Sequence, residues 1–521
     1  MQQHSEILKS EFEESDLVIG LIFPLGTKSN SLIGTLINQL KKYGYHPELV
    51  KISKDVIPWF SGKEIVYTTE FERINQLIDS GNESRSRFNR NDILAKGAVC
   101  KINQLRNSLA ESSDKPKRTA YIISSLKHPD EIRLLRRVYS DCFYLVGLFS
   151  EEHERIEYLK DEHQMSQENA DFLIKRDQGE AMAYGQHTID AFHLSDFFVY
   201  IDQDERKTRK DICRILDLIF SNPFITPTFD EHAMFMAFAS AVRSADLSRQ
   251  VGAVIARDEE ILATGSNDCP RFGGGLYWPV FCTEKKEYVE SAGGRDCQRG
   301  FDSNSREKQS LIASIAEMLN DQIDTTIVTG ILKKSPLKEI TEYGRVVHAE
   351  MEALIACARN GISTRGATLY CTTFPCHNCA KHIIAAGIKR VVFVEPYVKS
   401  KALKFHDDSA ILSVREQPNK VIFSPFIGVG PRRFYDLFSL SSGSGDPVER
   451  KDKSGNKLNW KPENGKLKLR ILPLSYRDLE KGVAGLIFDY LEEINGQEKN
   501  KPNKTTKKRT GISGKRPQGK K

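Results

Sequence analysis

The chain has 521 residues, of which 39% are hydrophobic and 28% charged, which fits a soluble globular protein with two to four domains and sizeable cores. No run of 18 apolar residues occurs, so no transmembrane helix is expected, and the acidic start, Met1 to Glu14, lacks a signal-peptide core. Ten cysteines are too sparse for a disulfide scaffold and point to a reducing cytoplasm. The net charge of +6 is uneven: Gln497 to Lys521 holds 10 Lys and Arg and one Glu, a net of +9, which leaves the remainder at −3. Residues 497–521 therefore read as a disordered basic tail, either a contact for nucleic-acid phosphates or a solubilising arm.

Asp16 to Phe23 reads as a buried strand, Pro24 to Ser29 as a loop, and the stretch to Tyr43 as a helix. A strand, a glycine loop with Lys and Ser, and a helix N-terminus can together cradle phosphates. Gly26, Lys28 and Ser29 are the candidate nucleotide contacts. The pattern departs from G-x-x-x-x-G-K-[ST]: five residues separate Gly20 from Gly26, and Thr27 precedes Lys28. The alternative is a turn kept for the fold with phosphate binding lost. Thr119–Ser124, Cys142–Phe149 and Asp196–Ile201 read as further strands, with a helix starting at His128. This rhythm predicts an α/β domain over 1–221, a P-loop kinase-like parallel sheet. The charged helical segment 151–190 reads as a lid over a nucleotide or as a solvated helix face.

Asn222 to Thr228 reads as a linker and Phe229 to Arg243 as a helix. Gln250–Ala256 and Glu260–Gly265 form a hairpin around Arg257–Glu259, with Asn267 just beyond. An insertion over 268–347 contains Cys269, Cys282 and Cys297. Their spacing lacks a C-x-x-C pair, so free cysteines and a second, structural zinc are both open. His348-Ala349-Glu350 comes next, and after 24 residues Pro375-Cys376-His377-Asn378-Cys379. Glu350 to Gly361 reads as a helix, Ala367–Thr373 as a strand, Pro375 to Gly387 as a second helix and Lys389–Val394 as a strand. One imidazole and two thiolates suit Zn²⁺ and leave a tetrahedral position for water, whose pKa the metal lowers. His348, Cys376 and Cys379 are the expected ligands. Glu350 is the expected proton shuttle of an H-x-E…P-C-x-x-C deaminase site. His377 and His382 read as loop or helix-surface residues, and Cys357 and Cys371 as core.

Ala241 to Ile255, Ala263 to Asn267, His348–Glu350 and Pro375–Cys379 resemble the cytidine/deoxycytidylate deaminase family over about residues 229–440. With the N-terminal half, Lys127–Glu131 and Gly273–Trp278, the chain is similar to bacterial antiphage dCTP deaminases. In that group a nucleotide-kinase-like domain is fused to a deaminase. The resemblance implies an α/β/α zinc-dependent deaminase domain over 222–496 and hydrolytic conversion of dCTP, dCMP or both to the uracil nucleotide and ammonia. It further implies dCTP depletion as antiphage defence and a homo-oligomer. It makes Asn267 a nucleotide-holding residue, and Arg243 and Arg249 are candidate phosphate contacts. Two other readings stay open: a cytosine deaminase acting on RNA or single-stranded DNA, and an N-terminal half that takes a nucleotide, RNA or protein regulator.

Overall fold

The computed structural model describes residues 15–62, 66–111, 116–180, 184–201, 205–319, 322–340, 342–396 and 400–499. The expected tail lies outside these residues except for 497–499, which close the last helix.

In the first half, β1 (Leu17–Ile22), β2 (His46–Lys51), β3 (Thr119–Leu126), β4 (Phe143–Phe149) and β5 (Phe197–Tyr200) form a parallel sheet in the order β5-β4-β1-β3-β2. Every residue of β1 is buried, as a parallel strand covered on both faces requires. The helices are α1 (Ser29–Lys42), α2 (Glu70–Arg87), α3 (Ile93–Glu111), α4 (Pro129–Tyr139), α5 (Glu152–Asp161), α6 (Gln167–Gln178) and α7 (Glu205–Ile219). Leu17, Ile19 and Leu21 pack against α1 and α7, and Val18 and Ile22 against α3 and α4. The segment expected as a lid or a solvated face is neither alone: Leu159 of α5 and Leu173 and Ile174 of α6 bury an apolar stripe against Ile74 and Ile78 of α2.

In the second half, α8 (Phe229–Ala241) begins at Thr228, whose hydroxyl and the Glu231 carboxylate cap each other's backbone. The hairpin of β6 (Gly252–Arg257) and β7 (Glu260–Ser266) turns through two residues, Asp258 and Glu259, at φ 52° and 60°. That is one residue tighter than expected, because paired left-handed residues match the twist of the flanking strands. There follow α9 (Ala349–Arg359), β8 (Thr368–Thr373), α10 (His377–Ala385), β9 (Arg390–Glu395), β10 (Ala410–Leu412) and β11 (Val421–Pro425). The strand order is β10-β11-β9-β8-β6-β7, with β8 antiparallel to β6 and parallel to β9. α8 covers one face through Ala233, Met234 and Ala237, and α9 and α10 the other through Ala349, Ala353 and Ile383. Both close approaches rest on glycine: a Cβ on Gly252 would lie 1.9 Å from the Ala237 carbonyl oxygen, and one on Gly265 would lie 2.1 Å from that of Ala349.

The two halves are braced together. β12 (Gly428–Val429) returns to pair antiparallel with β5 as the sixth strand of the first sheet. α11 (Pro431–Phe438) follows, and in α12 (Pro473–Lys499) Tyr476, Ala484 and Ile487 enter the core beneath α3 and α4. Arg106 of α3 donates to both oxygens of the fully buried Glu480 at 3.0 and 2.9 Å and pairs with Asp16. The two sheets are drawn from either side of 221/222 except for β12, and within 428–487, expected in the second domain, Val429, Leu437, Leu467, Leu469, Tyr476, Ala484 and Ile487 enter the cores of the first half. Hydrophobic periodicity marks a buried face without saying which sheet it meets.

Gly265→Ala is expected to push α9 off β7 and to destabilise the protein by about 1–3 kcal/mol, the usual cost of overpacking. A shifted denaturant midpoint with the α/β circular dichroism retained is the readout.

Candidate zinc-dependent active site

The metal ligands come from two helix starts. His348 is the N-cap of α9 and Cys376 the N-cap of α10, and neither side chain makes a capping hydrogen bond, so both are free for a metal. Pro375 precedes the cap, and the helix begins at His377, two residues later than a start at Pro375 would give. Cys379 lies one turn inside α10 and is 1% exposed. His348 Nδ1 is 3.4 Å from Cys376 Sγ and 3.3 Å from Cys379 Sγ, and the three ligand atoms lie within 4.8 Å of one another. Tetrahedral zinc, with its bonds to N and S, spaces such atoms by roughly 3.5 Å. The donor set therefore fits zinc. Among the described residues no other group of three His, Cys, Asp or Glu residues converges in this way.

The hydrogen bond from Cys379, reinforced by His348, pulls the Cys376 thiol down to about 3, and the α10 N-terminus favours the same thiolate. Glu350 sits in the first turn of α9, 4% exposed. Burial pushes its carboxyl above the usual range. Glu350, His348 and Cys376 line a pocket of about 190 Å³ together with Phe374, Arg249 and Asn267.

The other expected residues divide. Arg249 lines the pocket, half exposed, 3.8 Å from Glu395. Asn267 lines it too, but its side chain orders the loop that carries Arg249: Oδ1 accepts from Val251 N–H at 2.7 Å and Nδ2 donates to the Arg249 carbonyl at 2.8 Å. Arg243 is not among the lining residues. It lies beyond the end of α8, its guanidinium 3.6 Å from the centre of the Trp278 ring and donating to the Tyr277 carbonyl. In this position it holds the Tyr277–Trp278 segment of the insertion. Sequence reading missed Arg345, which lines the pocket from the far end of the insertion and pairs with Asp296 at 2.9 Å. Its position next to His348 in sequence was the available signal. Cys269 is buried, Cys282 half-buried and Cys297 exposed, and they do not form a second metal site among the described residues. Cys357 and Cys371 are core residues as expected.

In the glycine loop of the first half, three backbone amides are engaged within the protein. Leu25 N–H donates to Asp177, Thr27 N–H to the Pro24 carbonyl and Ser29 N–H to that of Thr27, so these amides face inward. Gly26, at φ +86°, is pressed on the Arg155 backbone. Gly26 and Lys28 do line a crevice of about 280 Å³, which Ser29 does not, but they share it with Glu154, Glu157, Asp161, Glu162 and Glu205. That charge repels a phosphate group.

Residues 227–395 match the cytidine and deoxycytidylate deaminase zinc-binding region. The deoxycytidylate deaminase of Enterobacteria phage T2 is 30% identical over 182 residues, 32% of this chain and 79% of the relative. That of Homo sapiens is 35% identical over 104 residues, 20% of this chain and 53% of the relative. The solved dCMP deaminase of cyanophage S-TIM5, in complex with dCMP and dUMP, shares 19% identity, covering 39% of this chain and all of that one at a TM-score of 0.22. The chain belongs to the cytidine and deoxycytidylate deaminase family. Its matched region is a zinc-binding deaminase unit, and residues 1–226 lie outside that match.

His348→Ala and Cys379→Ser are each expected to reduce zinc from about one per chain to a small fraction, whereas Glu350→Gln keeps it. Elemental analysis of the purified proteins separates ligand from proton carrier.

Proposed function

We propose that the protein hydrolytically deaminates deoxycytidine nucleotides, dCTP, dCMP or both, to the uracil nucleotide and ammonia. The observation that carries the reading is the convergence of His348, Cys376 and Cys379 beside a buried Glu350 in one pocket. Zinc, when bound, lowers the pKa of a water so that a nucleophile is available near neutral pH. Glu350 takes the proton that the water loses and delivers it to ring N3, then takes the proton of the new C4 hydroxyl and passes it to the departing amine. A carboxyl whose burial favours protonation suits that alternation. Phe374 offers the base an apolar wall, and Arg249 at the pocket edge offers the phosphate a planar cation. Arg345, already held by Asp296, shapes the same edge.

Depletion of the dCTP pool in antiphage defence is the cellular role the resemblance supports. The ten unpaired cysteines suit a reducing cytoplasm, and no helix among the described residues is long and apolar enough to cross a membrane. Exposed Met318, Ile323, Ile327 and Ile331 on the insertion support self-association. A polynucleotide substrate is not favoured, since Asp246, Asp296 and Asp302 line the pocket where a basic groove would be needed.

Zinc-loaded protein incubated with dCTP, dCMP, CTP, cytidine and single-stranded DNA is expected to convert dCTP or dCMP, with turnover falling by about 10²–10⁴ in Glu350→Gln. Turnover confined to single-stranded DNA would replace this reading with base editing. Arg249→Ala is expected to raise KM for the phosphorylated substrate about tenfold with kcat nearly unchanged, the mark of lost uniform binding. Steady-state kinetics on the same substrate tests it.

A further inference from the structure

Glu395 closes β9, and its backbone carbonyl accepts from Phe374 N–H at 2.7 Å. β8 and β9 run parallel there, with Thr373 opposite Glu395. One oxygen of the Glu395 carboxylate accepts from the Thr373 hydroxyl at 3.1 Å, and the other stands 3.8 Å from Arg249 Nη1. Thr373, Phe374 and Arg249 all line the zinc pocket. A carboxylate is thereby fixed at the pocket edge, beside the guanidinium to which the proposed function assigns the phosphate.

That carboxylate is not needed to hold Arg249. The Arg249 backbone is set from two other sides: its N–H donates to Asp246 at 3.1 Å, and its carbonyl accepts from Asn267 at 2.8 Å. The Arg249 and Glu395 side chains are 46% and 38% exposed, and 3.8 Å exceeds hydrogen-bond length. Exposed ion pairs of this kind add little. The larger effect of Glu395 falls on the ligand. The other guanidinium of the lining, Arg345, is already bonded to Asp296 at 2.9 Å and to the Gly294 carbonyl at 3.1 Å. A phosphate seated on Arg249 therefore comes close to a carboxylate as well, and the repulsion grows with each negative charge the ligand brings.

We propose that Glu395 is a specificity-determining residue: it penalises a bound nucleotide according to its phosphate charge and so sets the preference of the site between dCTP and dCMP. This rests on the reading that the phosphate lies against Arg249. The carboxylate acts on the phosphate end alone, and the base and the proton transfers of Glu350 are left as they are.

The test is equilibrium dialysis of zinc-loaded, full-length protein against labelled deoxycytidine, dCMP and dCTP. It is done in the Glu350→Gln background, so that binding is read without turnover, at low ionic strength and without added magnesium. Glu395→Gln keeps an acceptor for the Thr373 hydroxyl and removes the charge. Repulsion across roughly 7 Å at a surface dielectric predicts that it lowers Kd about threefold for dCMP and about tenfold for dCTP. Kd for uncharged deoxycytidine should not change. Glu395→Asp, which restores the charge, should return the ratio of the two nucleotide Kd values toward that of Glu395, and high salt should bring the Glu395→Gln and Glu395 proteins together. Equal shifts for dCMP and dCTP, a matching shift for deoxycytidine, or weaker binding of either nucleotide would each overturn the proposal and leave the phosphate reading standing. Arg249→Ala with both nucleotide Kd values unchanged, or no binding of either nucleotide, would instead overturn that reading and the proposal with it.

Discussion

Three ligand atoms drawn from positions 348, 376 and 379 must lie within 4.8 Å of one another, and the second half of the protein is arranged to meet that requirement. Two helices have to begin at the same place, and one sheet carries both: α9 packs on β7 and α10 follows β8, with β6 between the two strands. α9 is fixed by resting on β7 at Gly265, where no Cβ intervenes. α10 follows β8 directly, and β8 is bonded to β6, which is bonded to β7. The two ligand-bearing helices are thus set by one sheet, α9 through packing on β7 and α10 through the short connection from β8. The two helix N-termini then bring their positive ends together, which favours thiolate at Cys376 and concentrates the chemistry at one sheet edge.

The second consequence concerns the relation between the halves. Glu231, 1% exposed, receives Arg214 from α7 at 2.7 Å and Val429 N–H from β12 at 2.8 Å. A buried carboxylate held by a guanidinium and a backbone N–H is costly to break, since either partner alone would leave a charge stranded. At the opposite end Arg106 joins Asp16 and Glu480 in the same manner. The first sheet is thus completed by residues that follow the deaminase unit in sequence, and neither half is a separable block.

The charged lining of the crevice after β1 is mainly carboxylate. The strand, turn and helix stand where a phosphate loop would, yet the loop amides bond inward and carboxylates surround Lys28. Lys28 itself lies 5.3 Å over the Tyr158 ring. The first half contributes the C-terminal end of β4 and α5 to the junction with the deaminase unit, where Glu151 accepts from Val414 N–H and Glu154 pairs with Arg415.

The sequence by itself determined the local chemistry. His-x-Glu and Pro-Cys-x-x-Cys state ligand types and the proton carrier, because zinc preference is a property of donor atoms and needs no neighbours. Buried runs such as Leu17–Ile22 announce parallel strands through composition alone. The helices over 70–111 and the long α12 escaped notice, since they are rich in charged and polar residues and their apolar stripes match partners far away in sequence. Only the tertiary structure decided that Arg243 turns to Trp278 and that Arg345 joins the pocket. It also decided that Asn267 holds a loop and that residues 428–487 finish the first sheet and its core. The direction of a side chain and the partner of a buried face are set by packing between distant segments. One-dimensional periodicity records only that a face is buried, not what buries it.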